Sequence, residues 1–208
     1  MEELKRIYST IKHTVENRIK EFNNIKETAD NKAMLKEMVF CLMTPQSKAK
    51  TCAKVTDDIF TNDYVFKASV LELSNAINNV RFKNNKAKYI KEAIAKFKNR
   101  DIKKTINNFN DVYEARDWLV KNIKGYGYKE ASHFLRNTGF GYDLAILDRH
   151  ILKNLKNYGV LKEIPKTINE KTYKTIEKDM QNWAKEINIP MHHLDFVLWY
   201  KETKEVFK

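Results

Sequence analysis

An all-α fold is what this sequence predicts, and three observations predict it. Apolar residues recur at three- and four-residue steps along most of the chain, as they do on one face of a helix. Only 5 Gly and 3 Pro punctuate 208 residues, far too few for the turns of a β-sandwich or barrel. No segment reads convincingly as a strand, and no repeat of solenoid period is present. With 42% apolar and 12% aromatic residues the chain can bury a real core, which excludes a disordered tail or a low-complexity linker.

The elements follow from that spacing. Leu4, Ile7, Ile11, Val15, Ile19 and Phe22 make one apolar stripe on a long first helix. A second helix is predicted from Lys32 to Met43, before Pro45, and a third from Lys48 to Phe60. Segments 68–78, 86–98 and 112–122 read as the next three, the last marked by Trp118 and Leu119. Beyond Pro165, Tyr173, Ile176, Met180 and Trp183 lie on one face. Pro190 precedes a closing helix over 194–202.

Composition bounds the function. The opening Met1-Glu2-Glu3-Leu4-Lys5-Arg6 lacks an apolar h-region, and no apolar run exceeds six residues, so an intracellular, cytoplasmic protein without a membrane anchor is expected. Cys41 and Cys52 are the only cysteines, too few for a four-cysteine zinc site or iron–sulfur cluster. His13, His133, His150, His192 and His193 show no metal-ligand spacing, so no metal and no cofactor is expected. A formal net charge of +12 fits a polyanionic partner, and equally a lysine-rich chain kept soluble by its charge.

All five glycines fall between Gly125 and Gly159. A chain that avoids glycine elsewhere needs unusual backbone geometry or close approach in that window. Within it, Ile123-Lys124-Gly125-Tyr126-Gly127-Tyr128-Lys129 follows one helix and opens another. Such a turn, with the unpaired amides and positive dipole end of the next helix, makes an anion site suited to a DNA phosphate. It also reads as an ordinary turn between helices.

Ile123 to Ala131 resembles the hairpin of the helix-hairpin-helix DNA glycosylase superfamily, and Asp143 to Leu152 resembles its catalytic aspartate segment. Gly-Tyr-Lys-Glu-Ala-Ser-His-Phe-Leu-Arg-Asn at 127–137, Arg81-Phe82 with Lys86-Ala87, Glu163-Ile164-Pro165 and Trp199-Tyr200 near Lys208 are similar to the archaeal-type (type-2) 8-oxoguanine DNA glycosylase/lyase branch. The resemblance implies two helical subdomains, residues 30–140 ending in the hairpin and residues 1–29 with 141–208, and a cleft between them. It implies excision of 8-oxoguanine from double-stranded DNA and β-elimination at the abasic site, by a monomer in the cytoplasm or on the nucleoid of a prokaryote.

By the same resemblance Lys129 is the nucleophile. Only about one free lysine in a few thousand is neutral at pH 7, and the dipole at a first helical turn disfavours the cation. Packing against Tyr126, Tyr128 or a neighbouring helix would exclude water from it. Asp148 precedes Arg149-His150-Ile151-Leu152 at an N-cap position. There it can cap the helix and, ionised, steady positive charge on the sugar and relay protons. Lys124, Gly125, Tyr126 and Gly127 are expected on the DNA backbone.

Arg81, Phe82 and Gln46 are expected to distort the duplex, although Phe82 reads also as core. The Thr44-Pro45-Gln46-Ser47 turn departs from the branch, where a Thr-Ala-Asn-like turn is usual. Trp199, Lys208 and Asp195 are expected at the base. Trp199 fits core packing nearly as well, and the tail Thr203 to Phe207 lacks the glycine usual there. Two other readings remain open: the same fold excising another damaged base, and a non-catalytic DNA-binding module.

Overall fold

The computed structural model describes residues 1–208, which form twelve α-helices and no strand. They are α1 (Glu2–Thr28), α2 (Asn31–Met43), α3 (Ala49–Phe60), α4 (Tyr64–Lys67), α5 (Val70–Ala76) and α6 (Lys83–Phe97). After these come α7 (Ile102–Asn107), α8 (Val112–Asn122), α9 (Tyr128–Asn137), α10 (Arg149–Asn157), α11 (Glu170–Glu186) and α12 (Met191–Thr203). The periodicity located the long helices to within a few residues. It passed over α4 and α7, which are too short to show a stripe. None is long and apolar enough to cross a membrane.

Side-chain caps set many of the boundaries. Asp30, Ser69, Asp101, Asp111, Asp148 and Asn169 each accept hydrogen bonds from first-turn amides of the helix they precede. Each satisfies donors that the helix cannot.

Two hydrophobic cores define two helical subdomains. One gathers 31 buried residues between Met34 and Leu144, around α2, which is buried nearly all round. The other gathers 21, from α1 and from Ala145 to Leu198. Core membership changes between the adjacent residues Leu144 and Ala145. Gly139 brings the chain across at this seam with φ +76°, and a Cβ there would meet the Phe22 carbonyl oxygen of α1 at 2.7 Å. Only glycine fits so close to another backbone. The C-terminal segment returns over the seam, since Phe207 packs against the first core.

Candidate active site

The turn between α8 and α9 is shaped by Gly125, whose φ is +90° and whose missing Cβ would lie 2.5 Å from Tyr89 Cδ2. Tyr126 is buried; its hydroxyl donates to the Met38 carbonyl at 2.9 Å and its amide to the Ile123 carbonyl at 3.0 Å. The Gly127 amide donates to Glu130 Oε2 at 3.1 Å. Tyr126 and Gly127 therefore spend their amides inside the hairpin. The amides of Lys124 and Gly125, which bond to nothing in the chain, and those of the first turn of α9 are the donors left for an anion. Lys124 Nζ rests 3.4 Å from Glu92 at the surface.

Asp148 is held from the opposite subdomain. Its Oδ1 accepts from the amides of His150 and Ile151 at 2.8 and 2.9 Å, leaving Oδ2 free of protein partners. The segment before it is held by α11. The Tyr173 hydroxyl donates to the Ala145 carbonyl at 2.6 Å, and the Ala145 amide donates to Glu177 Oε2 at 2.7 Å. Glu177 in turn takes two bonds from the fully buried Arg116, at 2.5 and 2.8 Å, whose guanidinium also lies over the Tyr128 and Tyr173 rings. One buried ion pair thus locks α8 of the first subdomain to α11 and to the segment leading to Asp148. It holds the two flanks in register.

Between the flanks lies a cleft of about 880 Å³. Lys129 and Asp148 both line it, together with Gln46, Arg81, Asp195, Trp199 and Lys208. Lys129 Nζ donates to Thr44 Oγ1 at 3.0 Å and stands 3.7 Å from Glu130 Oε1, its side chain 22% exposed. Neither Tyr126 nor Tyr128 lines the cleft; the amine is flanked instead by the end of α2. Gln46 holds φ +54° at the tip of its turn. Phe82 lies outside the cleft lining, with φ +60° and 52% of its surface exposed, and Arg81 covers its ring at 5.1 Å. It is not a core residue.

Burial raises the Asp195 carboxyl to about 6; Arg136, whose Nη1 is 3.4 Å away, opposes that and Asp148 adds to it. Trp199 meets His150 edge-on at 5.1 Å. Lys208 Nζ donates to Glu37 Oε2 at 2.7 Å.

Several supporting residues had no functional role assigned from the sequence. Lys86 is buried, donates to the Met43 and Pro45 carbonyls at 2.7 Å each, and so pins the turn that bears Gln46. Burial brings its ammonium down to about 8. Ser47 in the same turn accepts the Arg81 amide at 3.0 Å, which ties that turn to the Arg81–Phe82 corner. His133 is buried against Phe40, and burial pushes its imidazole well below the usual range. Arg116 on α8 and Glu177 on α11 were not singled out from the sequence at all. No three His, Cys, Asp or Glu side chains gather as metal ligands.

A glycine-turned pair of helices beside a cleft lined by both a first-turn lysine and a helix-capping carboxylate fits the class of helix-hairpin-helix DNA glycosylases. The model of the 8-oxoguanine DNA glycosylase family matches residues 15–189, and the chain belongs to that family. It is 45% identical to the 8-oxoguanine DNA glycosylase/AP lyase of Fusobacterium nucleatum over 99% of this chain and 96% of that one. It is 39% identical to that of Methanocaldococcus jannaschii, over 100% and 97%. The crystal structure of the M. jannaschii 8-oxoguanine glycosylase/lyase with a 15mer DNA containing 8-oxoguanine superposes with a TM-score of 0.90 at 34% identity, covering 100% of this chain and 98% of that one. Endonuclease III bound to DNA, at a TM-score of 0.56 and 20% identity, shares the fold alone.

Proposed function

We propose that this protein excises 8-oxoguanine from double-stranded DNA and then cleaves the strand at the abasic site. The observation that supports the reading is that Lys129, in the first turn of α9, and Asp148, at the cap of α10, line the same cleft. The first unit, 30–140, supplies the amine and the hairpin. The second, 1–29 with 141–208, supplies the carboxylate and most of the base pocket.

In this reading the Lys129 Nζ lone pair attacks C1′ of the damaged nucleotide, and the bond from C1′ to the base breaks as positive charge builds on the sugar. Asp148, with Oδ2 unengaged, stabilises that charge and carries the amine proton toward the departing base. The nitrogen lone pair then forms a double bond to C1′ as the C1′–O4′ bond breaks and O4′ takes a proton from water, which gives a protonated Schiff base. Removal of a C2′ proton then expels the 3′ phosphate by β-elimination. Product release by water regenerates the lysine.

The remaining residues hold the substrate. Amides of Lys124, Gly125 and the first turn of α9 take a backbone phosphate, a grip that reads no sequence and weakens with salt. The exposed Phe82 and Arg81 press on the duplex, and Gln46 fills the space vacated by the flipped nucleotide. Trp199, Asp195 and Lys208 form the pocket for the extruded base. In this reading the enzyme acts as a monomer.

The test is excision across duplexes carrying 8-oxoguanine, an oxidised pyrimidine or undamaged guanine. Release of 8-oxoguanine at least ~100-fold faster than the others is expected, since pocket donors that match one base penalise its analogues. Faster release of a pyrimidine lesion would assign the fold another substrate. Tight DNA binding with no release from any duplex would make it a binding module.

A further inference from the structure

Glu37 lies on α2, is 6% exposed, and is absent from the cleft wall. A buried carboxylate needs partners for both oxygens. Here Oε1 accepts from Asn137 Nδ2 at 2.6 Å, and Oε2 accepts from Lys208 Nζ at 2.7 Å. Asn137 ends α9, the helix that opens with Lys129; Lys208 belongs to the segment leaving α12 of the other subdomain. The Lys208 ammonium also sits 4.4 Å over the Phe40 ring, one turn along α2 from Glu37.

The segment has little else to hold its far end. Lys204 reverses the chain after α12 with φ +60°. Glu205 pairs with Lys50 at 2.6 Å, but both side chains are about half exposed and such pairs hold weakly. Phe207 gives a non-directional contact with the first core. The Glu37–Lys208 bond gives that end a directional side-chain tie to a buried carboxylate.

We propose that Glu37 is a positioning residue for recognition of the damaged base: it anchors the Lys208 side chain on α2 and so fixes how the C-terminal segment borders the cleft. The inference rests on the reading that Lys208 faces the extruded base. Glu37 itself touches no substrate. It acts by refusing Lys208 any placement that would leave the carboxylate buried with one partner.

The experiment compares single-turnover excision of 8-oxoguanine with nicking of a preformed abasic site, in wild type, Glu37→Gln, Lys208→Met and the double variant. Glu37→Gln should slow excision about tenfold and leave nicking within about twofold, and the double variant should be no slower than Lys208→Met alone. Equal slowing of both reactions, or additive losses, would overturn the inference. Normal excision by Glu37→Gln beside impaired Lys208→Met would overturn it while leaving the Lys208 reading intact. Normal excision by Lys208→Met would remove that reading and the inference with it. Should Glu37→Gln not fold, Lys208→Met breaks the same bond from the solvent side and tests the anchor directly. Trypsin cleavage after Lys204 should accelerate about tenfold in it, and an unchanged rate would refute the anchor.

Discussion

The amine of Lys129 donates to the Thr44 hydroxyl at 3.0 Å, and that hydroxyl donates its own proton to the Cys41 carbonyl at 2.9 Å. The direction of both bonds is thereby fixed. Thr44, nearly buried at the end of α2, presents a lone pair to the lysine and steers the rest of the amine toward the cleft.

Replacing Thr44 by Val removes that acceptor while keeping the branched shape. Covalent capture of an abasic-site duplex should slow by about tenfold with duplex affinity unchanged, the size expected for a misaimed nucleophile. Stopped-flow or quench kinetics under single turnover would measure it. An unaltered rate would mean that Thr44 does not orient the amine.

Asp148 serves as cap and, in the proposed mechanism, as charge stabiliser, and the two duties separate in Asp148→Asn. Asn caps as well as Asp, so its Oδ1 can keep the bonds to His150 and Ile151 and the melting temperature should hold within a few degrees. Excision should fall by about 10² to 10³. A large loss of thermal stability with proportionate loss of activity would reduce Asp148 to a cap.

Gly125→Ala should destabilise the protein by roughly 1–3 kcal/mol in urea unfolding, because alanine is strained at φ +90° and its Cβ would press on Tyr89. Duplex affinity should fall as the open amides shift. Full affinity with the strained hairpin would place the phosphate grip elsewhere.

Asp195 gives a pH signature. Folded, its carboxyl titrates at about 6, against an ordinary value of 3.8, chiefly through burial. The folded state therefore holds a proton that the unfolded chain has released, and stability is lost as pH rises through 4 to 6. Wild type should lose on the order of 3 kcal/mol relative to Asp195→Asn between pH 4 and pH 7.5. Parallel stability curves for the two proteins would show that Asp195 titrates normally.

The parts legible in the sequence were those with local signatures. Spacing of apolar residues located α1, α2 and α8, glycine crowding located the turn at Gly125, and the Asp148–Arg149 junction announced a cap. What stayed hidden joins residues far apart: Arg116 with Glu177, 61 positions on, and Glu37 with Lys208, 171 positions on. A charged residue on a helix reads as a solvated face until its partner is known. Tyr126 was expected on the DNA backbone from its place in the hairpin, and its long-range bond from the hydroxyl to the Met38 carbonyl was equally hidden.

Borohydride trapping on a duplex bearing 8-oxoguanine tests the central proposal, attack by the Lys129 amine, most directly. The wild-type protein should give a covalent protein–DNA adduct, and Lys129→Gln, folded and still binding the duplex, should give none. An adduct of wild-type yield in Lys129→Gln, or none in the wild type while it releases the base, would contradict the account.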